Sequence, residues 1–91
     1  MDDWAESDLA WELADAIGPL LADRDRTQLY AVIGSGESYT AIATMLQILA
    51  RQSWPITAEL ITQLTGWLDS YAHSDDAPRL QEMLTAITLL R

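Results

Sequence analysis

MDDWAESDLAWELADAIGPLLAD, residues 1–23, carries two stripes at helical spacing. At about 100° per residue, Leu9, Leu13, Ile17 and Leu20, with Ala16, fall on one side. Trp4 and Trp11 fall on the far side, beside Asp8, Glu12 and Asp15. A surface helix needs only an aliphatic stripe to hold it to a domain. The second stripe has no evident packing role, so it is the first place to look for a partner. Asp3 and Glu6 have capping-box spacing, and acids in a first turn complement the helix dipole. The helix is therefore expected to begin after Asp2 or Asp3. Gly18-Pro19 interrupts the run. Because Leu20 keeps the phase of Leu13 and Ile17, the expectation is a helix over about residues 4–22, kinked at Gly18-Pro19.

The same periodicity continues down the chain. A short helix is expected over 26–33, capped by Asp25 with Gln28, its narrow face being Leu29, Val32 and Ile33. Gly34 stands where a left-handed terminal residue belongs. A third helix is expected over 37–52, with Ser35 as its cap and Ile42, Leu46 and Leu49 as its stripe, flanked by Tyr39, Ala43 and Ala50; Ile48 falls off that stripe. Trp54-Pro55 breaks the chain, because a residue before proline resists the α region. Thr57 caps a fourth helix over 58–72, with Leu60, Ile61, Leu64, Trp67, Leu68 and Tyr71 on one side. Gly66 lies within it as a place for a neighbour to approach. After the loop 73–78, with Asp76 or Ala77 as cap and Pro78 in the first turn, a fifth helix runs over 77–90. Its stripe is Leu80, Met83, Leu84, Ile87 and Leu90. Short connections place successive helices side by side. The expected fold is all-α: a compact antiparallel bundle of four main helices plus one short one, forming a single domain over 1–91.

Composition agrees. Leucine and alanine dominate, valine occurs once, and phenylalanine is absent. Helix formers are thus abundant and typical strand formers sparse. Cysteine is absent, which removes disulfides, thiolate metal sites and a cysteine nucleophile. The net charge is −9. Eight acids lie in the first 25 residues, opposed there only by Arg24. Direct nucleic-acid binding needs clustered cations, and none cluster here. An anionic membrane surface is disfavoured for the same reason. A basic partner protein is what such a field attracts; acidity also serves simply to keep a small protein soluble. No segment approaches the ~20 apolar residues of a membrane span. No apolar run of the secretory kind follows the acidic start. A cytoplasmic location is the expectation.

No motif fixes a chemistry. Ile33-Gly-Ser-Gly-Glu-Ser38 lacks the glycine spacing of a serine nucleophile elbow and the lysine of a phosphate loop, and reads as a helix-breaking corner. His73, with Asp69, Asp75 and Asp76 nearby, offers one imidazole and no second. A histidine near a helix C-terminus already has a dipole reason to be there. Paired acids such as Asp75-Asp76 and Asp23-Asp25 read as solvated caps and turns. No catalytic residue, cofactor or metal ligand is therefore expected.

Of the four tryptophans, Trp67 lies in phase with a core stripe and Trp54 covers a corner. Trp4 and Trp11 are left. Exposed aromatics among charges make interface hot spots; the competing reading wedges the first helix between two neighbours and buries Trp11. The expected function is a small acidic protein–protein interaction module, such as a regulator, adaptor, antitoxin or immunity-type inhibitor. It would dock a basic partner through Trp4, Asp8, Trp11, Glu12 and Asp15. A self-associating homodimer seamed on the same face, and an acidic mimic of nucleic acid, are the other readings. An enzyme ranks last.

Overall fold

The computed structural model describes residues 3–90, with Asp3 described by its backbone alone. It is all-α. The described residues form five α-helices and no strand: α1 (Asp3–Ile17), α2 (Asp23–Gly34), α3 (Ser38–Gln52), α4 (Ala58–Asp69) and α5 (Ala77–Thr88). The chain divides between Met45 and Leu46, inside α3, into two compact units.

In the first unit α1 packs against α2. Leu9, Leu13 and Ile17 are buried as expected, but the stripe is completed by Ala10 and Ala14, while Ala16 is exposed. Expected capping by Asp2, or by the Asp3 side chain with Glu6, lies outside the described residues. The helix does not kink and continue at Gly18-Pro19. It stops at Ile17, and Gly18–Leu20 form a single 3-10 turn closed by the Leu21 N–H on the Gly18 carbonyl at 3.1 Å. Pro19 has no N–H to give to the preceding turn, and its ring crowds the carbonyl four residues back. Leu21 and Ala22 are then extended, which takes Leu20 out of phase and leaves it 55% exposed.

The second helix is longer than expected, because Ala22 rather than Asp25 is its N-cap. Asp23 and Asp25 both fall in its first turn, where negative charge is favoured. The Arg26 guanidinium is paired with Asp23 and donates to the Gly18 carbonyl at 3.4 Å. Leu29 and Ile33 are buried and Val32 half-buried. The left-handed residue is Gly36, at φ +91°, rather than Gly34, which is the last residue of α2. Gly36 N–H bonds the Ile33 carbonyl at 3.0 Å and Glu37 N–H bonds Val32 at 3.3 Å. These are the two bonds of a Schellman ending. Ser35 consequently ends α2 instead of capping α3, and its hydroxyl donates to the Val32 carbonyl at 2.8 Å. Within the first part of α3, Ser38, Ala41, Ile42 and Met45 are buried.

In the second unit Leu46 and Leu49 of α3 are buried, and Ile48, expected off the stripe, is half-buried. The helix ends on Ser53 at φ +57°, with Trp54 N–H on the Leu49 carbonyl at 3.1 Å. Thr57 caps α4 as expected, accepting from Leu60 N–H at 3.2 Å. The helix stops at Asp69, and Tyr71 follows in a series of tight turns. Leu60, Leu64, Trp67 and Leu68 are buried, while Ile61 and Tyr71 are half-buried. The Trp67 ring is fully buried, 5.4 Å from that of Tyr71. No atom beyond its own helix lies within 4 Å of a Cβ built on Gly66, so this exposed glycine admits no neighbour. α4 packs against α5, whose N-cap is Asp76 and whose first turn holds Pro78. Leu80, Leu84 and Ile87 are buried and Met83 half-buried. α5 ends at Thr88, two residues short of the expectation, so Leu90 is exposed along with Leu89.

Candidate functional site

The face of α1 opposite its buried stripe is open to solvent. Trp4 is 83% exposed and Trp11 38% exposed, and Asp8, Glu12 and Asp15 are all exposed. The burial pattern explains why. Leu9, Ala10, Leu13, Ala14 and Ile17 fill the inward half of a 3.6-residue turn, so positions 4, 8, 11, 12 and 15 project from the outward half. All five expected site residues are thus brought onto one helix face.

The two tryptophans are held differently. Trp11 rests against Tyr30 of α2, with ring centroids 5.6 Å apart and planes inclined at 47°. Such a pair contributes about 0.5–1.5 kcal/mol beyond its area of burial. Trp11 is therefore braced on one side and open on the other, between the two readings that the sequence left standing. Tyr30 is a residue that sequence reasoning passed over. It lies beside Leu29 and outside the aliphatic stripe of α2, so the periodicity of the sequence carried no signal for it.

The Tyr30 hydroxyl end lies against the Gly18 backbone. A Cβ built at Gly18 would lie 3.1 Å from the Tyr30 hydroxyl and 3.4 Å from Cδ of Arg26. The missing side chain at the end of α1 is what lets the α2 side chains close over the turn. Gly18 thus lies against Tyr30, and Tyr30 against Trp11.

The charge on this face has one sign. No Arg or Lys occurs in α1. The ion pairs of Arg26 with Asp23 and of Arg79 with Asp76 leave Asp8, Glu12 and Asp15 out. Carboxylates in this setting keep their water and repel one another modestly, so the field reaches outward over about a Debye length.

The other places considered from sequence do not assemble into a site. Ser35 is an exposed turn residue whose hydroxyl is spent on the backbone. His73 is exposed in a turn beyond the end of α4, so it no longer shares a helical face with Asp69. Among the described residues, no group of three or more His, Asp or Glu side chains could hold a metal ion, and no helix is long and apolar enough to cross a membrane. A shallow recess in the second unit is lined by Leu68, Asp69, Ala72, Ala77, Pro78 and Gln81, with one ionisable group and no second to converge on it. Compared with protein-family models, curated proteins and solved structures, the chain matches none.

Proposed function

We propose that the chain is a small cytoplasmic binding module that docks a basic protein surface through the Trp4/Trp11 face of α1, as a regulator, adaptor or inhibitor of that partner. The observation that carries this reading is the 83% exposure of Trp4 on a helix whose own core positions are already filled. A large indole left in water forfeits the free energy its burial would bring, and a docked partner recovers it. Around it, Asp8, Glu12 and Asp15 supply charge that speeds encounter with a cationic surface and selects against an acidic one. The reading assigns the chain no reaction of its own.

The test is affinity capture from the native cell lysate at low and high salt, using the full chain and its Trp4→Ala/Trp11→Ala variant. The expected result is a partner rich in surface Arg and Lys, released by salt and lost from the double variant. A double variant with unchanged helical circular dichroism that still retains every captured protein overturns the reading.

A further inference from the structure

The outward face of α1 repeats one small unit. Trp4 is followed four residues on by Asp8, and Trp11 four residues on by Asp15. Residues so spaced are neighbours on a helix, with Cβ atoms about 5–6 Å apart. The two units are seven residues apart, hence about 10 Å along the axis and nearly in line around it, within about 20°. Each unit places an indole one helical turn before a carboxylate.

One common side chain uses both features at once. Guanidinium is planar, so it stacks on an indole while its N–H fork bonds a carboxylate. An ammonium is a compact, strongly hydrated point charge with no plane to stack. α1 itself carries no cation, and Arg26 of the neighbouring α2 is engaged by Asp23 and the Gly18 carbonyl. The unit at Trp11 is preorganised, because Tyr30 braces that ring from behind. Glu12, exposed one turn after Asp8 and one turn before Asp15, adds charge between the two units.

We propose that the occupant of this face is a partner helix presenting two arginines seven residues apart, one to each Trp–Asp unit. The inference rests on the docking reading above and narrows its partner. The register follows from the geometry. A helix lying along α1 rises by the same 1.5 Å or so per residue, so only a spacing of about seven returns two side chains to one face at the required separation.

The probes are three synthetic helical peptides of about 20 residues, long enough to hold helicity on an alanine–glutamine background. One carries two arginines seven apart. The second carries them five apart, which sends them to different sides of the helix. The third carries two lysines seven apart. Each is titrated into the full chain, and the indole N–H signals of Trp4 and Trp11 are followed by NMR. The seven-spaced arginine peptide is expected to move both signals and to bind about fivefold tighter than either other peptide. Trp4→Ala and Trp11→Ala are each expected to weaken it about two- to fivefold, the loss of one exposed cation–π contact.

Equal binding of the three peptides, or shifts that spare the two indoles, overturns the arginine register. If the peptides bind alike while the double variant still loses its cellular partner, the docking reading stands and the register alone falls. If the double variant keeps its cellular partner, the docking reading falls and takes the register with it.

Discussion

Replacing Gly34 and Gly36 by alanine, one at a time, separates two glycines that look equivalent in Ile33-Gly-Ser-Gly-Glu-Ser38. Neither added Cβ meets another atom within 4 Å, so the contrast is purely one of backbone conformation. Gly34 is the last helical residue of α2, and alanine there gains helix propensity, about 0.5–1 kcal/mol. Gly36 holds φ +91° and closes the helix. An L side chain in left-handed backbone costs about 1–2 kcal/mol. The smaller entropy of the unfolded alanine chain offsets some 0.4–1 kcal/mol of that. The expected net loss is about 1 kcal/mol, so the two variants differ by about 1.5–2 kcal/mol. At about 4–8 °C per kcal/mol for a domain of this size, Gly34→Ala melts roughly 6–16 °C above Gly36→Ala. Thermal unfolding followed by far-ultraviolet circular dichroism reads this directly. Equal melting temperatures, or the reverse order, would refute the placement of the helix end.

Five further substitutions probe other parts of the chain. Leu13→Ala, at a fully buried position, is expected to cost about 2–5 kcal/mol in urea unfolding, whereas Leu20→Gln, beyond the end of α1, stays within about 0.5 kcal/mol; similar losses from both would restore the kinked helix. Ser53→Gly relieves the left-handed residue after α3 and raises stability by up to about 1 kcal/mol, read from the same unfolding midpoint. Gly66→Ala, on an open helical surface, adds about 0.5–1 kcal/mol; a loss there would reveal a neighbour against the helix. Trp4→Ala leaves thermal stability within about 0.5 kcal/mol, because so exposed a ring supports no core.

The helices were legible wherever leucines recur every three or four residues, since such a face has no use except burial. Leu60, Leu64, Trp67 and Leu68 of α4, and Leu80, Leu84 and Ile87 of α5, are all buried on that pattern. Alanine was ambiguous because it suits a helix on either side. The burial of Ala10 and Ala14 in place of Ala16 follows from how α1 is rotated in its setting, which no local pattern encodes. Helix ends were the hardest to read. At Pro19 two cues conflicted, the phase of Leu20 and the missing N–H, and the backbone constraint won. At the start of α2, Asp25 with Gln28 had the spacing of a cap, yet Ala22 in an extended conformation starts the helix three residues sooner. The acidic tryptophan face was legible from residues four, seven and eleven apart. The bracing of Trp11 by Tyr30 was not, because it joins two helices through a side chain that follows neither stripe.

That bracing changes how substitutions on the face have to be interpreted. Trp11 has two attachments, an open side that a partner can use and a closed side on Tyr30. Removing it takes away a contact surface and also about 0.5–1.5 kcal/mol of internal aromatic pairing. A binding defect in Trp11→Ala therefore mixes two causes. Trp4 has no such second role in its exposure, so a binding loss in Trp4→Ala at unchanged stability belongs to the surface alone. Gly18→Ala supplies the converse. Its Cβ would crowd the Tyr30 hydroxyl at 3.1 Å without adding or removing anything on the outward face of α1. If the Tyr30 ring moves to make room, the orientation of Trp11 moves with it while every charge and indole remains in place. The pair of variants thus separates what the face is made of from how firmly it is held, and a docking surface that uses both tryptophans depends on each.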